Sequence, residues 1–132
     1  IIIEQFIDRE IQSGTPSQNI ILAGFSQGGA IALHTGLRYQ LKLAGILALS
    51  THIADTKDSS IPPLHFNNKN TPVLMIHGHY DSIIPLSLAK ASRDMLINMD
   101  YKVKWIEYPM MHEVCEEEIH VIGYWLEKVL CR

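Results

Sequence analysis

Apolar residues recur along this chain in two alternating patterns, one at helical spacing and one in short unbroken runs. Ile2, Ile3, Phe6, Ile7 and Ile11 return at helical intervals with Glu4, Asp8 and Arg9 between them, which predicts an amphipathic helix. Ser13, Gly14, Thr15 and Pro16 close it, because a left-handed glycine cap and a proline cannot continue a helix. Asn19 to Ala23 then reads as a buried strand, and a helix follows from roughly Gln27 to Tyr39. Leu43 to Leu49 is a second unbroken apolar run, as in a strand covered on both faces. Thr51 to Asn70 lapses into polar residues around Pro62 and Pro63, predicting a loop or short excursion near the strand ends, a place where substrate contacts are expected. Thr71 to Ile76 is a third run.

Pro85 opens a helix to about Asn98, with Leu88, Ala91 and Met95 expected on its inner face. Tyr101 to Tyr108 alternates at first, with Lys102 and Lys104 facing away from Tyr101, Val103 and Trp105. It is predicted as the outermost strand, its lysines discouraging further pairing. The last helix, about Glu116 to Leu130, is expected to bury Ile119, Ile122, Leu126 and Val129, while Glu116, Glu117 and Glu118 suit its positive end. Strand and helix alternate throughout, so the fold class is α/β: a parallel sheet of about four strands with flanking helices, in a single domain over residues 1–132.

Composition changes this picture little. With 132 residues, 47% of them hydrophobic, the chain can bury a substantial core, and a net charge of −3 with scattered Lys and Arg argues against a nucleic-acid partner. No apolar run reaches the ~18 residues of a membrane helix, so no stable membrane insertion is expected. Cys115 and Cys131 lack metal-ligand or disulfide-framework spacing and suit a cytoplasmic location.

The chemistry concentrates where the first strand meets its helix. Gly24-Phe25-Ser26-Gln27-Gly28 is a Gly-x-Ser-x-Gly nucleophile elbow, with glycines two residues either side of Ser26 expected to leave room for a serine in a strained conformation. A serine hydroxyl needs a base, and an imidazole base needs a carboxylate to fix its tautomer. Ser26 follows the first strand, Asp81 the third and His112 the fourth, so all three can converge at one edge of a parallel sheet in the chain order found in α/β-hydrolases. The competitors are weaker. His34 and His120 lie within helices, His52 and His65 in the long loop, and His77-x-His79 lacks further ligands for zinc, so no metal or other cofactor is expected. Cys115, beside His112, reads as a structural thiol, and Asp55, Asp58, Asp94 and Asp100 as solvated loop or turn residues.

Ala23 to Ala30 (AGFSQGGA), Leu47 to Thr51 (LALST), His77 to Asp81 (HGHYD) and Glu107 to Glu113 (EYPMMHE) resemble the bacterial carboxylesterase and acyl-protein thioesterase (phospholipase/carboxylesterase) family over nearly the whole chain. The resemblance implies Ser26 as nucleophile, Asp81 as orienting acid, His112 as base, the Gln27 N–H as an oxyanion donor and Ile83 in the acyl pocket. Met111 departs from a glycine usual in relatives and is expected to narrow the substrate entrance. Relatives also carry upstream strands and a His-Gly-x-Gly-like loop with a second oxyanion donor. Neither occurs in this sequence, which begins with Ile1 inside a helix, so the chain resembles the C-terminal half of the family fold and the parent polypeptide is expected to continue upstream. The implied activity is hydrolysis of short carboxylic esters or thioesters through an acyl-enzyme. The alternatives are a lysophospholipase, an acyl-protein thioesterase or a peptidase and, in another class, an inactive hydrolase fold serving as a binding module. The expected partner is a small-molecule ester or thioester, and a homo-oligomer is compatible with the reading.

Overall fold

The unbroken apolar runs become the inner strands of a parallel sheet. In the computed structural model, which describes residues 2–53 and 66–131, four strands lie in the order β1 (Ile21–Phe25), β2 (Gly45–Leu49), β3 (Val73–Gly78) and β4 (Val103–Tyr108). Every neighbouring pair is parallel. Between and around them run α1 (Ile2–Gln12), α2 (Gln27–Arg38), α3 (Leu86–Asn98) and α4 (Glu116–Leu130). Consecutive residues of the inner strands serve opposite faces. Ile46, Ala48, Val73 and Met75 pack with Ile7, Leu33, Leu37 and Leu96 from α1, α2 and α3. Leu47, Leu74 and Ile76 pack with Trp125 and Val129 from α4. Burial on both faces is why these strands show no hydrophobic alternation.

The observed elements depart from the sequence reading in ways that have local causes. β1 begins two residues later than expected, because a 3₁₀ turn at Ser17–Asn19 takes up the first residues and the pairing with β2 carries the strand through Gly24 to Phe25. Tyr101 lies outside β4: its N–H bonds the Leu96 carbonyl at 3.0 Å and closes α3 instead. The inner face of α3 is Ala89, Ser92 and Leu96, with Leu88 and Ala91 exposed. Ser92 decides this rotation, since its Oγ accepts the Ile53 N–H at 2.8 Å and donates to the Leu88 carbonyl at 3.1 Å. On α4, Glu118, Trp125 and Val129 are buried, Ile122 and Leu126 are partly buried, and Ile119 is exposed. Glu118 turns inward because its carboxylate caps the helix, and the apolar stripe turns with it.

β4 is an edge strand with Lys102 and Lys104 exposed, as the alternation predicts. β1 is the other edge. Beside it Phe6 and Ile31 are exposed along a groove of about 300 Å³, and of the apolar stripe expected on α1 only Ile7 is fully buried.

The long polar segment was expected to be a loop or short excursion near the strand ends; residues 54–65 lie outside the described residues, whereas its end is a structural clamp. Asn68 is completely buried. Its Oδ1 accepts the Leu43 N–H at 2.8 Å and the Thr71 hydroxyl at 2.7 Å, while its Nδ2 donates to the Tyr39 and Leu41 carbonyls at 3.0 Å each. One amide side chain thus joins the end of α2 to the approaches of β2 and β3. Asn68→Ala would leave the carbonyls and an N–H of three segments unpaired, and is expected to lower unfolding free energy by on the order of 3 kcal/mol in urea denaturation. An unchanged midpoint and slope would show that the clamp contributes nothing.

Candidate active site

β1 ends against α2 with almost no room to turn. Ser26 sits at φ 58° and ψ −120°, far from ordinary strand or helix geometry, with its N–H bonded to the Leu49 carbonyl at 2.8 Å and its carbonyl accepting the Ala30 N–H at 3.1 Å. The strand ladder fixes one side of the serine and the first helical turn the other. Such over-determination is what sustains a strained non-glycine residue.

The glycines divide the work differently from the sequence expectation. A Cβ on Gly24 would lie 2.1 Å from the Gly28 backbone, so Gly24 is required for the turn to close. A Cβ on Gly28 would meet nothing, and the second tight position is Gly29, 2.8 Å from Thr51 Cγ2 and 2.9 Å from the Gly24 carbonyl oxygen. Gly28 therefore supplies backbone for Gly24 to pass, and Gly29 lets α2 settle on Thr51, two residues beyond β2. Gln27 opens α2, so its N–H has no acceptor within the helix and adjoins Ser26 at the positive end of the helix dipole.

Asp81 and His112 arrive on two loops that are laced together. His79 N–H bonds the Tyr108 carbonyl at 2.8 Å and Tyr80 N–H the Met110 carbonyl at 3.0 Å. Gly78 makes this possible, since a Cβ there would stand 2.2 Å from the Met111 carbonyl oxygen. The Asp81 side chain is sealed from solvent; its Oδ1 accepts the N–H groups of Ile83 at 2.9 Å and Ile84 at 2.8 Å. Its Oδ2 accepts His112 Nδ1–H at 2.7 Å, and His112 Nε2 lies 3.0 Å from Ser26 Oγ. Burial pushes the Asp81 carboxyl up, but the Ile84 N–H, the His112 ring and the Ile83 N–H outweigh it and hold it below its usual value near 3.8. An ionised Asp81 can only accept, which places the His112 hydrogen on Nδ1 and leaves Nε2 free to receive the serine proton. Phe25 packs its ring 4.9 Å from the His112 ring. Nothing in the spacing of the sequence singles out that contact.

The structure brings Ser26, Asp81 and His112 together at the carboxyl ends of β1, β3 and β4, with the Gln27 N–H adjoining. Ile83 and Met111 are 67% and 60% exposed on the Asp81 and His112 loops; Ile83 enters the hydrogen-bond scheme through its backbone N–H alone, and Met111 donates its own N–H to Glu113 at 2.9 Å. The other candidates are elsewhere. His34 and His120 are on exposed helix faces, His52 stands 3.2 Å from the Ile53 carbonyl, and His79 meets Glu107 at 3.2 Å. Asp94 pairs with Arg93 at 2.8 Å and Asp100 occupies a left-handed turn with φ 66°. His65, Asp55 and Asp58 lie outside the described residues. Among the described residues no cluster of three or more His, Cys, Asp or Glu could hold a metal ion, and no helix is long and apolar enough to cross a membrane.

Cys115 is the N-cap of α4, and Glu118 reaches back to accept its N–H at 3.2 Å. The second Glu118 oxygen has no partner among the described residues, and burial raises the carboxyl above its usual 4.5 against the opposing Cys115 N–H. The three glutamates expected at the positive end of the helix do lie in its first turn, and one of them, Glu118, is a buried acid that anchors the end of the His112 loop.

Parallel strands, an elbow serine and a strand-end acid and histidine in that chain order define an α/β-hydrolase. The family model for phospholipase/carboxylesterase matches residues 2–130, and the chain belongs to that family. It is 42% identical over 126 residues to acyl-protein thioesterase 1 of Neurospora crassa, with 94% of this chain and 51% of the relative covered. It is 38% identical over 129 residues to acyl-protein thioesterase 1 of Yarrowia lipolytica, with 96% of this chain and 56% of the relative covered. The crystal structure of Arabidopsis thaliana SOBER1 superposes with a TM-score of 0.87 at 30% identity, covering 97% of this chain and 61% of that one. The chain thus spans about half the length of these curated relatives, which are fungal; they support the family resemblance and not its bacterial part.

Two outcomes follow from the packing. Gly24→Ala is expected to cost about 3 kcal/mol or more because backbone must move, whereas Gly28→Ala is expected to be neutral or to stabilise by up to about 1 kcal/mol, both read by thermal denaturation. Equal effects would contradict the division of roles. Because the folded Glu118 carboxyl is raised, the unfolded chain ionises first, so this residue's contribution declines as pH rises from about 4.5 and stays lost at higher pH. The stability of Glu118→Gln relative to the unaltered chain should therefore improve from pH 4 to pH 8, and a pH-independent difference would refute this.

Proposed function

We propose that this chain carries the reaction centre of a serine hydrolase acting on carboxylic esters and thioesters. The observation that carries the reading is the continuous bridge from Asp81 Oδ2 through His112 to Ser26 Oγ, at 2.7 and 3.0 Å. Ser26 Oγ attacks the acyl carbonyl as its proton passes to His112 Nε2. The imidazolium so formed is held by Asp81, which stays ionised throughout. The Gln27 N–H at the start of α2 faces the negative charge developing on the carbonyl oxygen. Collapse of the tetrahedral intermediate breaks the C–O or C–S bond, His112 returns its proton to the departing oxygen or sulfur, and the acyl group remains on Ser26. Water, deprotonated by His112, then releases the acid and restores the serine.

Thioesters of acylated proteins are the favoured substrates, a reading supported by the two fungal thioesterases at 42% and 38% identity. Phe25, Tyr80, Ile83 and Met111 are all exposed large apolar or aromatic side chains on the segments carrying the three site residues, and suit an acyl chain. Met111 narrows the approach to His112 where a glycine would leave it open. A cytoplasmic location fits the two free cysteines.

Purified protein is expected to cleave an acyl thioester faster than the matching oxyester. Ser26→Ala should abolish both activities without unfolding the protein, and Asp81→Asn should lower turnover by about 10⁴ because the His112 tautomer is lost. Full activity in Ser26→Ala would end the serine-hydrolase reading, and a preference for oxyesters would end the thioester assignment alone.

A further inference from the structure

Two imidazoles approach the Asp81 carboxylate. His112 comes from the solvent side, and His77, 1% exposed, comes from within the sheet. His77 Nε2 lies 2.8 Å from the Ile84 carbonyl oxygen and 3.5 Å from Asp81 Oδ2. A carbonyl oxygen only accepts, so the His77 hydrogen is on Nε2, directed at Ile84 with the carboxylate close by. The same Ile84 donates its N–H to Asp81 Oδ1. Ile84 is therefore gripped at both backbone groups, its carbonyl by His77 and its N–H by Asp81. His77 is itself immobile: it pairs with Glu107 in the β3–β4 ladder, and its ring lies nearly parallel to that of Trp105, 6.3 Å away at 12°. Trp105 is in turn fixed by its Nε1–H to Glu107 Oε2 at 2.8 Å and by the Arg93 guanidinium 4.9 Å from its ring.

We infer that His77 is a positioning residue for Asp81: by holding the Ile84 carbonyl it shapes the 81–84 turn so that two N–H groups occupy Oδ1 and Oδ2 alone is aimed at His112. This rests on the reading of Ser26, His112 and Asp81 as the reaction centre. Without the His77 donor the Ile84 carbonyl loses its partner, the turn relaxes, and the carboxylate swings from the line of His112 Nδ1. Misalignment of this kind, on the order of an ångström, costs about 10²-fold in rate.

The experiment compares the unaltered protein with His77→Leu, His77→Gln and His77→Asn, reading the rate at which a fluorophosphonate labels Ser26 and kcat and KM for an acyl thioester. Gln carries its amide N–H near the place of Nε2, and Asn carries it near Nδ1. Leu and Asn are expected to lower kcat and labelling by about 10²-fold with KM within about twofold. Gln, whose amide N–H can still reach the Ile84 carbonyl, should restore most of the rate. A merely structural histidine would give no rescue by Gln over Asn among the folded variants. If the unaltered protein is not labelled at Ser26, the reaction-centre reading fails. If it is labelled, and Asn or Leu reacts at the same rate, or Gln as slowly as Asn, the role of His77 is refuted. Should Leu fail to fold, Asn against Gln decides the matter on the same criteria.

Discussion

A serine held at φ 58° between a strand and a helix is the constraint on which the rest of this structure depends. An L-residue is strained there, and the conformation persists only because the neighbouring backbone allows no other. Gly24 lets the helix return across the strand, Gly29 lets α2 rest against Thr51, and the Leu49 carbonyl on β2 takes the serine N–H. The parallel sheet is thus part of the elbow as well as its support. Parallel order is also what brings the ends of β3 and β4 to the same edge as Ser26, so that an acid and a base distant in sequence close on one hydroxyl.

The positions of Ser26, Asp81 and His112 were legible in the sequence because each lies just beyond a predicted strand, two of them unbroken apolar runs and the third alternating. The run marks the strand, and the strand end marks the edge of the sheet. Sheet topology followed from the same signal, since runs without alternation belong to strands covered on both faces. What the sequence did not disclose were features set by single close contacts. Gly28 fits the elbow motif better than Gly29, yet only a built backbone shows which of them cannot bear a side chain. The inner faces of α3 and α4 were expected to follow their largest apolar residues; instead Ser92 and Glu118 turn inward, each drawn by a backbone N–H that needs an acceptor. Hydropathy carries no trace of that need. Asn68 and His77 were hidden for the same reason: a buried polar side chain is explained by its partners, and those lie 25 residues away or on the far side of a turn.

Polar groups buried under the site form two anchors for mobile chemistry. His77 and the N–H groups of Ile83 and Ile84 fix Asp81 from behind, while Glu118 and Cys115 fix the segment that follows His112. The first anchor lies on the face of the first core cluster, where His77 stacks against Trp105, and the second at the start of α4, on the face of the second cluster; neither involves the β1 edge with its exposed apolar groove. Asp81 is therefore braced from one face of the sheet and the segment after His112 from the other, with the His112 ring resting against Phe25.

The most direct test of the central claim is mass spectrometry of protein quenched during turnover of an acyl thioester, followed by peptide mapping. The account predicts one acyl group on the peptide containing Ser26, absent from Ser26→Ala and accumulating in Asp81→Asn if deacylation is slowed as well as acylation. An acyl group found instead on Cys115 or Cys131, or turnover with no covalent adduct under any quench condition, would contradict it.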